Sequence, residues 1–332
     1  MRASVIGLGA FGTALANTLA SRSDDVQAWA REASVVESIN GARENRTYLP
    51  GIAVSARVRA TLSLEEALAG SELVVFATPS HATRDVVKKA LPYLPEHVPL
   101  LTVAKGIENE TLLTMTQLLE DCLPEQYHPS IAILSGPSFA KEMALGMPTV
   151  VTVASHFEKV AQKVQAALQT ESFRTYTSID VIGVEMGGAL KNVIAIAAGI
   201  SDGLGFGLNA RSALITRGLA EISRIAVAMG ANPLTLMGLS GLGDLVLTCT
   251  GDLSRNRQVG IELGKGRSLE QVLAGMTQVA EGVKTARSAR DLSRKVGVEL
   301  PICDQVHAIM YEGKSPRRAV VELMTRAPKR ED

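Results

Sequence analysis

The residue of this sequence with the clearest chemical potential is a lysine inside an apolar helical pattern. Lys191 lies in the segment GGALKNVI, residues 187–194, where every other side chain is uncharged. Burial destabilises an ammonium group and lowers its pKa towards neutrality, the range in which a general acid or base is most effective. Gly183, Gly187 and Gly188 weaken a helix unless another group must approach it closely. We therefore expect Lys191 to be a general acid/base, the alternative being an ammonium that reaches water from a partly exposed helix.

The N-terminal segment GLGAFG, residues 7–12, has the spacing G-x-G-x-x-G. It follows a β-branched run and begins a helical pattern, the context in which such a turn holds a dinucleotide pyrophosphate on a helix N-terminus. Gly7 would allow the tight turn, Gly9 would let the backbone approach the pyrophosphate, and Gly12 would let helix and strand pack closely. The spacing alone is common, so a merely structural turn is the alternative.

The choice of dinucleotide depends on the end of the second predicted strand, where Arg31 and Glu32 are neighbours. An acid there accepts hydrogen bonds from the adenosine ribose of NAD, whereas a guanidinium pairs with the 2′-phosphate of NADP. Because Arg31 directly continues the strand, we expect NADP(H) to be preferred and NAD(H) to be possible. An ordinary surface ion pair is the alternative.

Two further predicted strands end in small or charged residues. Lys105 follows the apolar run that ends at Ala104, and the segment SGPSFA, residues 135–140, follows another. Ligands of open α/β sheets bind at the carboxyl ends of the strands, so Lys105 is a candidate for the meeting point of cofactor and substrate. A solvated loop lysine is the alternative for Lys105.

A predicted helix that begins after Ser254 has two arginines, Arg255 and Arg257, in its first turn. Ser254 is a favourable N-cap, but cations are unfavourable beside the positive end of a helix dipole. A bound phosphate would reverse that preference, so Arg255 and Asn256 are interpreted as a phosphate clamp. Two solvated arginines are the alternative.

These residues need a scaffold in which strand ends meet. The first half of the chain alternates helical patterns with short, nearly continuous apolar runs, which is typical of strands covered by helices on both faces. The runs lie at residues 3–6, 26–30, 72–77, 99–104 and 130–134, with weaker candidates at 148–154 and 173–176. The pattern predicts an α/β protein with an N-terminal Rossmann-type doubly wound, mostly parallel sheet.

From residue 181 onward helical periodicity dominates. Helices are predicted near residues 183–200, 209–230, 254–264, 279–296, 301–312 and 316–326. We place a domain boundary near Asp180, with a Rossmann NAD(P)-binding domain over 1–180 and an all-α substrate-binding/catalytic domain over 181–332. The stretch 181–200 has the length of a membrane span but contains Glu185 and Lys191, so it is interpreted as a buried helix.

The composition excludes several other classes of function. The 34 basic and 34 acidic residues cancel, which gives no indication of nucleic-acid or anionic-membrane contact. The three cysteines form no C-x-x-C pair and the five histidines no H-x-x-x-H pair, so we expect neither disulfides nor a metal site, and a reducing, cytoplasmic location. The apolar stretch after Arg2 is interpreted as mature strand, turn and helix, not as a signal peptide.

The ordered segments GLGAFGTALA, VFATPS, AKGIE, SGPSFAKE, GGALKNVIAIAAGI, GLSGLGDLVLTCTG, SRNR and VAEGV together resemble the bacterial glycerol-3-phosphate dehydrogenase [NAD(P)+] family, over roughly residues 3–325. The resemblance implies a Rossmann domain followed by a helical domain. It also implies NAD(P)H-dependent, reversible reduction of dihydroxyacetone phosphate to sn-glycerol 3-phosphate, which feeds glycerophospholipid biosynthesis. We expect a homodimer with this small-molecule substrate, no nucleic-acid partner and no membrane span.

The resemblance also implies roles at individual positions. The residues implied to contact the dinucleotide are Gly7, Gly9, Ala10, Phe11, Gly12, Arg31, Lys105, Ala140, Arg255, Val279 and Glu281. Those implied to contact the substrate are Lys105, Gly136, Ser138, Lys191, Asp244, Ser254, Arg255 and Asn256. Lys191 would deliver the proton, Asp244 would orient Lys191 or a substrate hydroxyl, and Lys105 would add positive charge near the reacting oxygen. Many family members have serine at the position of Ala10, so a hydroxyl–phosphate bond is lost there.

Two other functions remain open at this point. A 3-hydroxyacid or ketopantoate-type dehydrogenase also pairs a Rossmann domain with a helical domain that carries a lysine, but its substrates bear a carboxylate in place of a phosphate. A regulator that binds NAD(P)H without catalysis would need a DNA-binding or partner-binding module, and it would leave Lys191 unexplained.

Overall fold

The structure, a computed structural model, describes residues 1–276, 279–328 and 330–331. Ten strands occur among these residues. They are β1 (Arg2–Ile6), β2 (Asp25–Trp29), β3 (Glu44–Asn45), β4 (Leu49–Ala53), β5 (Val58–Thr61), β6 (Leu73–Phe76), β7 (Leu100–Thr102), β8 (Ile131–Ser135), β9 (Thr149–Ala154) and β10 (Phe173–Ser178).

Eight of these strands form one sheet in the order β10-β9-β8-β7-β6-β1-β2-β5, and β3 pairs with β4 in a separate hairpin. Neighbouring strands of the large sheet are parallel, except that β8 and β9 are antiparallel. The predicted doubly wound, mostly parallel sheet is therefore confirmed. The edge strand β5 and the hairpin were missed, because β5 alternates buried and exposed residues and is too short for a clear pattern.

The described helices cover both faces of the sheet and make up the second half of the chain. They are α1 (Ala10–Ala20), α2 (Ala33–Ala42), α3 (Leu64–Leu68), α4 (Ser80–Ala90), α5 (Met115–Cys122), α6 (Ala140–Ala144), α7 (Glu158–Leu168), α8 (Val181–Gly203), α9 (Gly207–Ala228), α10 (Pro233–Leu236), α11 (Asp244–Thr250), α12 (Arg255–Gly264), α13 (Leu269–Ala274), α14 (Glu281–Val296), α15 (Pro301–Tyr311) and α16 (Pro316–Met324). A π-helical turn, Leu239–Gly243, leads directly into α11. The sequence pattern missed α10, α11 and α13, which are too short to show a helical period.

The strand order reverses between β1 and β6, so the chain leaves the sheet in opposite directions on either side of this point. One face of the sheet packs against α1, α2 and α7, and the other packs against α3, α4 and α5. The carboxyl ends of β1 and β6 therefore open a crevice between loops that diverge, which is where ligands of such sheets bind.

The centre of the helical half is α8, in which all residues except Ile182, Asp202 and Gly203 are buried. Its most apolar window is long enough to cross a membrane but is 94% buried inside the protein, which confirms the interpretation as a buried helix. The stretch Pro233–Thr250 passes the same length and composition test at 39% burial, but it is divided among α10, the π-helical turn and α11. The domain boundary near Asp180 stays a prediction; Asp180 itself caps α8 by accepting a hydrogen bond from the Gly183 amide.

Helices α8 and α12 run side by side in contact through glycines. A Cβ on Gly199 would lie 2.1 Å from the carbonyl oxygen of Arg257, and a Cβ on Gly260 would lie 2.1 Å from that of Ile196. Only glycine permits backbones to approach so closely. The first turn of α12 is consequently held beside the middle of α8, where Lys191 lies.

Candidate active site

The centre of the site is a buried carboxylate that holds two ammonium groups. Lys191 Nζ lies 2.5 Å from Asp244 Oδ1, and Lys105 Nζ lies 2.8 Å from Asp244 Oδ2. Lys191 is 6% exposed and Asp244 is 1% exposed. Lys191 also donates a hydrogen bond to Thr248 Oγ1 at 2.8 Å. Three residues far apart in the sequence thus meet in one charged cluster.

The protonation of this cluster follows from its burial and its charges. Burial lowers the pKa of Lys191 to about 8; the charge of Asp244 opposes that shift and the charge of Lys105 adds to it. Burial alone would raise the pKa of Asp244, but the two ammonium groups outweigh it and hold that pKa below its usual value. At neutral pH Lys191 is a proton donor with a pKa close to the working pH, as an effective general acid requires.

Two glycines let α8 approach the rest of the site. A Cβ on Gly187 would lie 2.4 Å from the carbonyl oxygen of Ser240, in the π-helical turn. A Cβ on Gly188 would lie 2.5 Å from Ser135 Oγ, at the end of β8, and 3.6 Å from Lys105 Cδ. The expectation that the glycines of this helix permit a close approach is therefore confirmed.

Lys105 and the segment SGPSFA follow β7 and β8, two neighbouring parallel strands. The carbonyl oxygen of Gly136 accepts hydrogen bonds from Lys105 Nζ at 3.1 Å and from Ser138 Oγ at 2.9 Å. Gly136 has a φ of 139°, and a Cβ there would lie 2.9 Å from Val151 Cα, so the position requires glycine. The predicted residues Lys105, Gly136 and Ser138 therefore lie together beside the buried carboxylate.

The first turn of α12 presents a cation suited to a phosphate. Ser254 Oγ accepts a hydrogen bond from the Arg257 amide at 3.2 Å, which confirms the predicted N-cap. Arg257 is neutralised by Asp202 at 2.8 Å and by Asp252 at 2.9 Å. Arg255 is exposed and forms no ion pair with the residues that the structure describes. Only Arg255 of the two arginines is therefore free to meet an anion.

A chain of amide hydrogen bonds connects this turn to the lysine cluster. Asn256 Nδ2 donates to Asn192 Oδ1 at 2.9 Å, and Asn192 directly follows Lys191. Asn256 Oδ1 accepts from the Gly282 amide at 2.9 Å, one residue after Glu281. Asn256 thus holds α12, α8 and α14 in a defined arrangement around the site.

Glu281 joins the helical half to the N-terminus of α4. Its carboxylate accepts hydrogen bonds from the Ser80 amide at 3.2 Å and from Ser80 Oγ at 2.5 Å. Desolvation lowers the pKa of Arg255, and the negative charge of Glu281 opposes that shift. Ser80 lies at the carboxyl end of β6, which places Glu281 at the reversal of the strand order.

The glycine turn fits a dinucleotide. Gly7 has a φ of 114°, and a Cβ there would lie 2.8 Å from the carbonyl oxygen of Ala77, whereas a Cβ on Gly12 would lie 1.9 Å from that of Gly7. The tight turn and the close packing are therefore confirmed. A Cβ on Gly9, the N-cap of α1, would meet no described atom within 4 Å. The chain's own packing does not require glycine at this position, but a pyrophosphate on the free amides of α1 would.

The other residues predicted to contact the dinucleotide differ in how far they are exposed. Ala10, Phe11 and Ala140 are partly buried and pack against the same hydrophobic core. Val279 is 38% exposed just before α14.

Arg31 and Glu32 stand apart from the buried part of the site. The Arg31 side chain is 81% exposed and forms a 2.8 Å ion pair with Glu32. The surface ion pair weighed as an alternative is therefore present, and a role of Arg31 towards a 2′-phosphate stays a prediction.

Three polar residues of the site had no role in the sequence interpretation. Thr248 lies one helical turn after Asp244, a spacing that offers a signal. Asn192 reaches the site through a partner 64 residues away in the sequence, so no local pattern reveals it. Ser80 follows the predicted strand that ends at Ala77, a position where ligands bind, but its partner Glu281 lies 201 residues away.

The remaining candidates for chemistry are the cysteines and a metal site. The cysteines Cys122, Cys249 and Cys303 are free thiols. Within the described part of the chain, no group of three His, Cys, Asp or Glu side chains is arranged to hold a metal ion.

A dinucleotide turn on a Rossmann-type sheet, together with a buried lysine whose pKa is about 8 in a helical second half, defines a nicotinamide-dependent dehydrogenase. Comparison with known proteins narrows this class. Residues 2–161 match the model of the NAD-dependent glycerol-3-phosphate dehydrogenase N-terminus, and residues 180–321 match that of the C-terminus. The chain belongs to the NAD-dependent glycerol-3-phosphate dehydrogenase family.

Individual relatives agree with this assignment over their full length. The chain is 71% identical to glycerol-3-phosphate dehydrogenase [NAD(P)+] of Myxococcus xanthus over 331 residues, which are 100% of this chain and 99% of the relative. It is 54% identical to the enzyme of that name from Anaeromyxobacter dehalogenans, with 100% of both chains covered. The crystal structure of glycerol-3-phosphate dehydrogenase from Coxiella burnetii superposes with a TM-score of 0.93 at 36% identity, covering 98% of this chain and 99% of that one.

Proposed function

We propose that this protein catalyses the reversible, NAD(P)H-dependent reduction of dihydroxyacetone phosphate to sn-glycerol 3-phosphate, which feeds glycerophospholipid biosynthesis. The observation that carries the proposal is the juxtaposition of the Lys191–Asp244–Lys105 cluster with the unpaired cation Arg255. The cluster suits protonation of a carbonyl oxygen. Arg255, at the N-terminus of α12, suits the phosphate of the same small substrate.

Lys191 is the proposed general acid. When bound, the nicotinamide supplies the hydride that reduces C2 of the substrate. Lys191 Nζ gives its proton to the C2 oxygen and takes it back in the reverse reaction. Asp244 holds this ammonium at 2.5 Å and orients it, while Lys105 adds a second positive charge that favours negative charge on the oxygen.

The substrate phosphate is proposed to lie on the first turn of α12. Arg255 supplies the charge, Ser254 and Asn256 supply polar groups, and Gly136 and Ser138 border the substrate near Lys105. Holding the phosphate would fix the distance between the C2 oxygen and Lys191. Such positioning lowers the entropic part of the activation barrier.

The dinucleotide is proposed to lie across the crevice between β1 and β6, with its pyrophosphate on the N-terminus of α1. The residues proposed to contact it are Gly7, Gly9, Ala10, Phe11, Gly12, Arg31, Lys105, Ala140, Arg255, Val279 and Glu281. We propose NADP(H) as the preferred cofactor because Arg31 is exposed at the end of β2, with NAD(H) also accepted through Glu32.

The proposal includes the organisation of the chain. Residues 1–180 would form the dinucleotide-binding domain and residues 181–332 the substrate-binding/catalytic domain. A homodimer is supported by exposed apolar side chains of the helical half, such as Leu208, Leu234 and Met237, and light scattering of the purified protein tests it. Free thiols in the described chain support a cytoplasmic location.

The direct test is to follow the loss of NADPH absorbance with dihydroxyacetone phosphate and, as a control, with ketopantoate. We expect oxidation with the phosphate ester only, because Arg255 and the N-terminus of α12 are proposed to bind a phosphate, which ketopantoate lacks. Oxidation with ketopantoate alone, or with neither substrate, would reject the proposed function.

A further inference from the structure

The loop that carries Lys105 is anchored in the helical half of the protein. It runs from the end of β7 to the start of α5 and is closed by a β-bridge between Ile107 and Thr114. Ile107 is 3% exposed and belongs to the hydrophobic core that contains Met186 and Leu190 of α8. The position of Lys105 therefore depends on how this loop is held against α8.

Glu185 holds the far end of the same loop. Its carboxylate accepts hydrogen bonds from the Thr116 amide at 2.7 Å and from Thr116 Oγ1 at 2.8 Å, in the first turn of α5. Glu185 is 4% exposed and forms no ion pair with the described residues, so the helix N-terminus is its main compensation for burial. Because burial of an unpaired carboxylate lowers the stability of the fold, we ask what this contact does for the site.

Three positions along α8 together meet the segment that contains Lys105. Glu185 binds the start of α5, Gly188 lies under the Lys105 stem, and Lys191 shares Asp244 with Lys105. The spacing from Glu185 to Lys191 is six residues, or about 9 Å along the helix axis. The segment is thus held to α8 in two places: at the start of α5 through Glu185, and at the ammonium group of Lys105 through Asp244 and Lys191.

We propose that Glu185 is a positioning residue for the reduction proposed above: by binding the N-terminus of α5, it keeps the Lys105 loop in the register that lets both ammonium groups reach Asp244. The inference rests on the proposed function. Without this contact the start of α5 loses its hydrogen bonds to α8, the loop is held by Ile107 and the β-bridge alone, and Lys105 shifts relative to Lys191. A displacement of about 1 Å in such a site can reduce turnover up to a hundredfold.

The helical half contains a matched control. Glu221, on α9, is also buried and also caps another helix, since it accepts hydrogen bonds from the Ile302 amide at 2.7 Å and the Cys303 amide at 3.3 Å in α15. Burial raises the pKa of both glutamates to about 7. Glu221 contacts neither ammonium group nor the Lys105 loop in any described interaction, so its loss reports the structural cost alone.

The experiment compares Glu185→Ala, Glu185→Gln and Glu221→Ala in the full chain, with kcat, both KM values and the pH dependence of kcat. For Glu185→Ala we expect kcat to fall about tenfold or more with the KM for NADPH nearly unchanged. We also expect the pH of half-maximal kcat to rise, because the charge of Lys105 no longer lowers the pKa of Lys191. Glu185→Gln, which still accepts the Thr116 amide, should restore most of kcat.

Glu221→Ala should lose thermal stability but keep the wild-type kcat and pH profile. Equal kcat and pH profiles for Glu185→Ala and Glu221→Ala would overturn the proposal. If Glu185→Ala does not fold, Glu185→Asp decides, since its shorter side chain draws the carboxylate away from both the Thr116 amide and Thr116 Oγ1: a lowered kcat with a shifted pH profile supports the proposal, and a wild-type profile overturns it. An inactive wild-type protein would instead reject the proposed function, so the two failures are distinguishable.

Discussion

The two ends of the site differ in how completely the protein assembles them. At the proposed substrate end, Lys191 and Asp244 are buried, hydrogen-bonded and held by close backbone contacts. At the end of β2, where we propose that the adenosine lies, Arg31 is 81% exposed and its partner is the adjacent residue Glu32. Groups that perform proton transfer must be positioned before the substrate arrives, whereas a groove that accepts two cofactors tolerates mobile, solvated side chains. The comparison predicts large effects of substitution at the first end and small effects at the second.

The largest effect is expected for Asp244→Asn. The substitution leaves two ammonium groups beside a neutral amide in a buried site, which costs about 3–5 kcal/mol of folding free energy. We expect kcat to fall about a hundredfold or more, because Lys191 loses its orienting partner. Thermal melting and steady-state kinetics measure the two losses. Asp252→Asn, at a side chain 97% exposed, is the control and should change neither quantity appreciably.

A smaller effect is expected for Arg255→Ala. Loss of one charge-assisted contact to the phosphate costs about 2–3 kcal/mol, so KM for dihydroxyacetone phosphate should rise about 30- to 150-fold. At saturating NADPH, which compensates for the dinucleotide contact also proposed for Arg255, activity with unphosphorylated dihydroxyacetone should change little, since that substrate has no phosphate for Arg255 to bind. An equal loss with both substrates would show that Arg255 acts on the fold or the dinucleotide and not on the phosphate.

The smallest effect is expected for Arg31→Ala. KM for NADPH should rise about tenfold, because the 2′-phosphate loses a guanidinium partner. KM for NADH should stay within about twofold, because NADH has no 2′-phosphate and the exposed ion pair between Arg31 and Glu32 contributes little. Glu32→Gln should act in the opposite direction by releasing Arg31 towards the 2′-phosphate. Unchanged discrimination between the two cofactors in both variants would contradict the proposed preference.

The same contrast explains what the sequence could predict. The turn at Gly7 and Gly12, the parallel strands around it and the cap at Ser254 each depend on neighbours in the chain, so local patterns reveal them. The burial of Lys191 was predictable because most of its helix is apolar. These features are enough to predict the fold class and the candidate centre of the site.

Features that arise from distant partners could not be predicted. Arg257 was grouped with Arg255 in one cationic turn, yet Asp202, 55 residues away, neutralises it. The sequence around Glu185 does not predict its contact with Thr116, because that contact depends on how α8 packs against the first half of the chain. The antiparallel direction of β9 relative to β8 likewise depends on how the connecting chain packs, which no local pattern shows.

The central claim is that Lys191 is the general acid, and the pH dependence of both directions in wild-type protein and Lys191→Ala tests it most directly. Because burial sets the pKa of Lys191 to about 8, reduction of dihydroxyacetone phosphate should weaken as the pH rises through about 8, while oxidation of glycerol 3-phosphate should strengthen. Lys191→Ala should retain cofactor affinity, lose about 10²- to 10⁴-fold in kcat and lose both pH transitions. Near-normal turnover in Lys191→Ala, or an unchanged transition near pH 8, would contradict the account.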